Sequence, residues 1–177
     1  RARKDEGGLG LRKARYQNQA FMMKLGWGMI NRRDTIWVNF LREKYKAGKD
    51  IIPKVEKRRG ESTMWRGIRN NWDKVKGSIT WRVTNGQNIY FWKDYWIPHL
   101  DKLENLVTRP LTSSITEWKV ADCITPSGQW DMCRFEHLLP GHICEAIRRV
   151  NTSQLHSQDL PAWRWSSDGN FSLRSGI

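Results

Sequence analysis

The sequence predicts an α+β fold that is predominantly α: a helical N-terminal half, two β-hairpins (about 79–92 and 162–174) and short helices between them. Three observations support this class. Apolar residues recur at helical spacing as far as Val75, the spacing changes to period two from Ile79, and two glycine-containing turn sequences lie at Asn85-Gly86 and Ser167-Asp168-Gly169. Hydrophobic residues make up only 38% of the chain, but eleven tryptophans can supply a core of adequate size.

The first two helices are expected over residues 12–30 and 35–47. Asp34 is a suitable N-cap for the second helix, and Gly48 is a suitable stop. The positions expected to face the core are Ala14, Phe21, Leu25 and Met29 in the first helix and Ile36, Trp37, Phe40, Leu41, Lys44 and Tyr45 in the second.

A third helix is expected after Ser62, which can cap its first turn, and should end at Gly77. Its apolar stripe has spacings of three, four and three and consists of Trp65, Ile68, Trp72 and Val75. The segment before it, residues 46–61, is rich in lysine and arginine and is interrupted by Pro53, so an exposed basic loop is expected there.

In the first hairpin, odd-numbered residues such as Trp81 and Phe91 are expected on one face, with a loop at 85–87. The second hairpin should have a type I turn at Ser167-Asp168-Gly169 closed by a left-handed glycine, and it should pair Trp165 with Phe171 and Trp163 with Leu173. The aromatic residues could be either a stacking platform for nucleic-acid bases or part of a core. Because most of them share a face with aliphatic residues, a core is favoured for Trp65, Trp72, Trp81, Phe91, Trp163 and Trp165, whereas Tyr90, Trp92 and Trp96 remain open.

Positive charge is concentrated in the N-terminal part of the chain. Residues 1–99 hold 23 Lys/Arg against 9 Asp/Glu, whereas residues 100–177 hold 8 against 9. Such asymmetry points to nucleic acid or an anionic membrane surface as a partner, and no apolar run is long enough to span a bilayer. The candidate phosphate-binding residues are Arg12, Lys13, Arg15, Arg32, Arg33, Lys54, Lys57, Arg58 and Arg59.

No catalytic motif is found in the sequence. A phosphate-binding loop, a nucleophile elbow, an HExxH helix and a metal-binding carboxylate pair are all missing, so no catalytic residue, metal or cofactor is expected. Cys133, His137, His142 and Cys144 are candidate zinc ligands by residue type, but their spacing is unlike that of known structural zinc sites, so a zinc site is not expected. Three cysteines without a CxxC pair favour a reducing, intracellular setting.

Six segments carry a resemblance to one family. They occur in the order EGGLGLRKARYQNQAFMMKLGW, IWVNFLREKY, STMWRGI, ITWRVTNGQNIYFWKDYWI, QWDMCRFEHLLP and WRWSSDGNFSLRSGI. Together they resemble the region that follows the polymerase core in plant non-LTR (LINE-type) retrotransposon reverse transcriptases, many copies of which carry ribonuclease H names. The polymerase signature of that family and its RNase H carboxylates do not occur in this sequence.

The resemblance implies an excerpt from a longer polyprotein, with endonuclease and polymerase domains before it and zinc-binding and RNase H domains after it. It implies a basic thumb or connection segment (1–77), a connecting region (78–161) and the truncated start of the zinc-binding domain (162–177). RNA and DNA would be the partners, bound through their backbones without sequence preference, and the nucleus would be the location. The alternative is a structural spacer between the enzymatic domains that does not touch nucleic acid.

Overall fold

The structure, a computed structural model, describes residues 6–152 and 157–172, with side chains from residue 14 onward. The described residues are 43% helical and contain six α-helices and one two-stranded antiparallel sheet. The predicted α+β class with helices predominating is therefore confirmed. The chain forms two compact units. Unit 1 combines the residues up to Ser78 with those from Trp163 onward, and unit 2 runs from Ile79 to Ala162.

Unit 1 contains four helices, α1 (Glu6–Asn31), α2 (Ile36–Lys44), α3 (Thr63–Asn70) and α4 (Trp72–Gly77), and α1 packs against both α3 and α4. The hydroxyl of Ser62 accepts a hydrogen bond from the Trp65 amide (3.2 Å), which confirms the predicted cap. The predicted stripe from Trp65 to Val75 is buried at all four positions. The single helix expected here is divided at Asn71, whose side chain donates to the Gly67 carbonyl (2.9 Å).

Glycines allow the helices of unit 1 to approach closely. A Cβ atom on Gly26 would lie 3.1 Å from Val75 Cγ2 and 3.4 Å from the ring of Trp72. In α3, a Cβ on Gly67 would lie 2.6 Å from the Met22 sulfur. Glycine lowers helix propensity, but at these positions its small size allows α1 to contact α3 and α4.

The buried face of α1 differs from the prediction. Ala14 and Phe21 are exposed, and Phe21 keeps 50% of its surface. Leu25 is half-buried, and only Met29 of the four predicted positions is fully covered. The helix instead buries a second stripe with spacings of three, four and three, formed by Ala20, Met23, Trp27 and Ile30.

The predicted face of α2 is correct at Leu41 and Tyr45, which are buried, and wrong at Ile36, Phe40 and Lys44, which are exposed. Ile36 is 89% exposed and Phe40 is 58% exposed. The buried stripe consists of Val38, Leu41, Arg42 and Tyr45, so α2 turns an arginine inward and two large apolar side chains outward. Asp34 is not the N-cap. That position is Thr35, whose hydroxyl donates to the Arg32 carbonyl (2.8 Å) instead of capping α2.

Arg42 explains the orientation of α2, because its buried guanidinium bonds to four backbone carbonyls. Nη1 donates to Gly48 (3.2 Å) and Asp50 (2.8 Å), and Nη2 donates to Met29 (2.8 Å) and Ile51 (3.2 Å). Burial lowers the pKa of Arg42. The side chain therefore joins the end of α1, the last turn of α2 and the loop that follows α2.

Unit 2 contains β1 (Ile79–Arg82), α5 (Ser113–Thr116), α6 (Gly141–Arg148) and most of β2 (Leu160–Trp163), whose last residue, Trp163, belongs to unit 1. Four short 3-10 turns lie between β1 and α6. Trp81 and Phe91 are buried, as predicted. Trp92 and Trp96, which the sequence left open, are also buried, and the Phe91 ring contacts both of them and Phe135. This aromatic cluster is the core of unit 2 and is not a stacking platform.

The first predicted hairpin does not form. β1 pairs with β2 instead of with residues 89–92. The segment after the Asn85-Gly86 turn bonds elsewhere: Phe91 N donates to Trp118 O (2.9 Å), and Val120 N donates to Ile89 O (2.9 Å). The local turn is present, with Gly86 at φ +67°, but the strand partners come from distant parts of the chain.

Asp159 holds the turn that follows β1. Its side chain is fully buried and accepts hydrogen bonds from the amides of Thr84 (2.9 Å), Gly86 (2.9 Å) and Asn88 (3.0 Å) and from the Thr84 hydroxyl (3.3 Å). The amides of Thr84 and Asn88 flank the predicted 85–87 loop and would have been available to a local hairpin ladder. Because a carboxylate takes them instead, residues 84–88 become a capped loop beside β2.

The second predicted hairpin is reduced to a turn. Trp163 N donates to Gly169 O (2.7 Å), and Gly169 takes the predicted left-handed conformation (φ +75°). Trp163 is fully buried, as predicted, but Trp165 is 58% exposed, so its predicted burial is wrong. Its indole nitrogen donates to the Ser78 hydroxyl (3.0 Å), which holds the ring at the surface. The predicted pairing with Leu173 lies outside the described residues.

We expect Gly86→Ala to destabilise the protein more than Gly60→Ala. Both glycines have positive φ (+67° and +72°), and a left-handed alanine costs roughly 1–2 kcal/mol. A Cβ at position 86 would also lie 2.6 Å from the backbone nitrogen of Ala121. A Cβ at position 60 would have no neighbouring atom within 4 Å. Denaturant unfolding should show the larger loss for Gly86→Ala. Equal losses would contradict the close packing of the 84–88 loop.

We expect Arg42→Met to cost about 3 kcal/mol or more, because four carbonyls lose their donor. The matched control is Arg32→Met, which removes an exposed guanidinium and should change stability by no more than about 0.5 kcal/mol. The measurement is the free energy of unfolding in urea, followed by tryptophan fluorescence. If Arg42→Met and Arg32→Met have the same free energy of unfolding, the guanidinium of Arg42 does not organise unit 1.

Candidate nucleic-acid interface

The positive charge of the chain belongs to unit 1. By sequence, unit 1 holds 23 Lys/Arg against 9 Asp/Glu, and unit 2 holds 8 against 9. None of the described helices is long and apolar enough to cross a membrane. A compact body with this excess of positive charge attracts polyanions over distances of about a Debye length.

In unit 2, most cations have partners within the unit. Lys93 forms an ion pair with Glu117, Lys102 pairs with Glu104 (3.8 Å), and Arg148 pairs with Glu145. Two further cations lie over aromatic rings: Lys119 Nζ is 3.2 Å from the centroid of Tyr90, and the guanidinium of Arg134 is 4.6 Å from that of Trp118. These local contacts leave the surface of unit 2 close to neutral.

The candidate cations near α1 are found in different environments. Arg15 is exposed on α1, and Arg32 is exposed just after its end, about 25 Å further along the helix axis. Arg33 is half-buried and engaged with other groups. The side chains of Arg12 and Lys13 lie outside the described residues.

The loop between α2 and α3, residues 45–62, is called the basic loop. Lys54, Lys57 and Arg59 are exposed in it, and none of them has an acidic partner within the described part of the chain. Arg58 is different. It is half-buried, and its guanidinium donates to the Tyr45 carbonyl (3.1 Å) and pairs with Glu56 (3.3 Å). Three of the four predicted cations of this loop therefore face solvent, and the fourth supports the loop itself.

Both ends of the basic loop are fixed by aromatic side chains. The Tyr45 hydroxyl contacts Ser62 Oγ (3.0 Å), accepts from the Ser62 amide (3.1 Å) and has its pKa lowered chiefly by the Ser62 side chain. The Tyr45 ring stacks on Trp65 at 4.1 Å between centroids. Trp65 Nε1 in turn donates to the Glu56 carbonyl (3.0 Å). A loop held in this way loses little further conformational freedom when it binds a partner.

Glu61 forms ion pairs with both arginines of α3, Arg66 and Arg69. Its carboxylate accepts from Arg69 Nη2 (3.0 Å) and from Arg66 Nε (3.3 Å). The hydrogen bond from Arg69 is the main cause of its lowered pKa. Arg66 and Arg69 thus have an internal partner beside the basic loop, and this distinguishes them from Lys54, Lys57 and Arg59.

Unit 1 also presents aromatic and aliphatic side chains to solvent, contrary to the pattern predicted from the sequence. Phe21, Ile36 and Phe40 were placed in the core and are exposed. On α1, the second apolar stripe from Ala20 to Ile30 could have indicated that Phe21 lies outside the buried face. In α2 the signal was hidden, because an arginine occupies one position of the buried stripe.

A metal site is not found among the described residues: no group of three or more His, Cys, Asp or Glu side chains is placed to hold an ion. Among the candidate zinc ligands, Cys133 is exposed while Cys144 is buried. The thiol of Cys144 contacts the carbonyls of Glu136 (3.9 Å) and Leu139 (4.0 Å), and burial raises its pKa. The exposed cations and aromatic side chains of unit 1 can therefore form an interface without a metal ion, and such side chains suit contacts with phosphates and bases.

The chain is similar to a plant protein. It is 31% identical over 180 residues to an Arabidopsis thaliana protein named "Putative ribonuclease H protein", and the match covers 97% of this chain. The chain spans 28% of the length of that relative. No family model matches the chain, and no solved structure matches it. The chain is therefore similar to one part of a longer plant protein whose name refers to ribonuclease H.

Proposed function

We propose that this chain is a non-catalytic segment of a retrotransposon RNA-directed DNA polymerase polyprotein that grips the backbones of RNA and DNA. Unit 1 provides the grip. The observation that carries the proposal is that the excess of positive over negative charge belongs to unit 1. Within unit 1, Lys54, Lys57 and Arg59 of the basic loop are exposed and have no acidic partner in the described part of the chain. Such cations bind phosphate by displacing condensed counterions.

The likeness to a ribonuclease H-named plant protein supports a nucleic-acid context, because that name denotes action on RNA. The resemblance of the six sequence segments to the region after the polymerase core supports the finer assignment. In this proposal, polymerase and zinc-binding domains flank the segment in the same polypeptide, and the whole protein works in the nucleus.

Binding is expected to be indifferent to sequence. Lys54, Lys57 and Arg59 belong to a loop and not to an element shaped for a groove, and base-edge readout requires side chains placed against the floor of a groove. The alternative, a spacer that touches no nucleic acid, would leave these cations as a solvated surface. The two functions differ in whether the charges of the basic loop contribute to binding.

The test is a triple variant, Lys54→Ala, Lys57→Ala and Arg59→Ala, measured for binding to an RNA–DNA hybrid across a salt series. Each lost phosphate contact should flatten the log–log salt slope by about 0.7–0.9, so a flattening of about two to three units is expected. Stability should barely change, because exposed charges contribute little to it.

A matched control removes the same number of charges from unit 2: Arg109→Ala, Arg134→Ala and Arg149→Ala, all exposed. This variant should keep the parental salt slope. If both triple variants lose affinity equally, net charge alone is responsible and the basic loop has no special role. If the variant of the basic loop binds like the parent at every salt concentration, the spacer function is favoured.

A further inference from the structure

A groove of about 360 Å³ lies on the surface of unit 1 between α1, α2 and the segment that follows β2. Its volume is near the lower end of the range for pockets that take small ligands, roughly 300–1,000 Å³. It is too small for a helix or a duplex. The lining residues on which the inference rests are Phe21, Lys24, Asn31, Arg32, Trp37 and Phe171.

The walls of the groove are held in place by packing. A Cβ on Gly28 would lie 2.9 Å from the Trp37 ring, so this ring rests directly on the backbone of α1. On the other side, Trp27 meets Trp163 edge to face (5.5 Å between centroids), and Trp163 meets Phe171 in the same way (4.8 Å). The aromatic surfaces of the groove are thus positioned before any ligand arrives.

Two aromatic side chains of the groove, Phe21 and Trp37, are at least partly open to water. Phe21 keeps half of its surface exposed, and Trp37 is only partly covered. Exposed aromatic faces are the surfaces on which unpaired bases stack. Bases within a duplex are already stacked on each other, so only an unpaired base could use them.

The polar lining of the groove suits a nucleotide. Lys24, Arg32, Asn31 and Asn170 are exposed along it, and no acidic side chain is among its lining residues. The two cations can meet a phosphate, and the Asn31 amide can both donate to and accept from a base edge, whereas the side-chain nitrogen of Asn170 already donates to Asp168 (3.1 Å). An anionic ligand with an aromatic part satisfies all of these groups, whereas a simple anion would leave the aromatic faces uncovered.

We propose that this groove binds one unpaired nucleotide of single-stranded nucleic acid, with its base against Phe21 and Trp37 and its phosphate near Lys24 and Arg32. The proposal rests on the proposed function, since the basic loop would hold the neighbouring backbone. It adds a contact that a duplex cannot make, and unit 1 would therefore distinguish single-stranded from paired regions.

The test measures the affinity of the full chain for three probes: a dT 12-mer, an abasic 12-mer with the same phosphates, and a blunt RNA–DNA hybrid. The parent should bind the dT probe about tenfold more tightly than the abasic probe, a typical gain for a stacked base. Phe21→Ala should abolish this preference and leave binding of the hybrid unchanged. Because Phe21 is half-exposed, its replacement should preserve the fold, and thermal unfolding checks this.

The matched control is Phe40→Ala, which removes a similarly exposed ring from α2 outside the groove and should keep the preference for dT. Equal binding of the dT and abasic probes by the parent overturns the groove proposal. So does a preference that survives Phe21→Ala, or one that Phe40→Ala also removes. If the abasic probe and the hybrid bind with a steep salt dependence but base preference is absent, only the groove proposal fails. If no probe binds, the proposed function fails with it.

Discussion

The guanidinium of Arg42 is the contact on which the arrangement of unit 1 depends. It bonds to carbonyls at the end of α1 and in the loop after α2, so one side chain sets the distance between three segments. Hydrogen bonds offset the cost of burying an arginine, and here both terminal nitrogens of Arg42 bond to backbone oxygens, whereas its Nε has no partner among the described residues. The orientation of α2 follows directly, because the face that carries Arg42 must turn inward.

Two features of the candidate interface follow from this orientation. With Arg42 inside, Ile36 and Phe40 point outward and Trp37 lies over Gly28, where it forms one wall of the groove. The carbonyls of Gly48, Asp50 and Ile51 are fixed at the beginning of the basic loop, and Tyr45 with Ser62 closes its far end. The backbone that carries the exposed cations is therefore held at both ends of the basic loop by hydrogen bonds, which lowers the entropic cost of binding.

Local patterns in the sequence were sufficient where local chemistry decides the structure. The cap at Ser62, the stripe from Trp65 to Val75 and the left-handed Gly169 were all predicted, because each depends on neighbouring residues. The prediction was wrong where a distant group intervenes. The carboxylate of Asp159 takes amides that a local hairpin would have used, and Arg42 makes a polar position the buried one. The exposure of Lys54, Lys57 and Arg59 matches the expectation of a basic loop, whereas Arg58 turned out to be part of its support.

The most direct test of the central claim, that unit 1 grips nucleic acid, is lysine footprinting. Acetylation rates of individual lysines would be measured by mass spectrometry for the chain alone and with a saturating RNA–DNA hybrid. Protection should be confined to exposed lysines of unit 1 such as Lys49, Lys54 and Lys57, while Lys102 and Lys119 of unit 2 keep their rates. Protection spread evenly over both units, or found only in unit 2, would contradict the account.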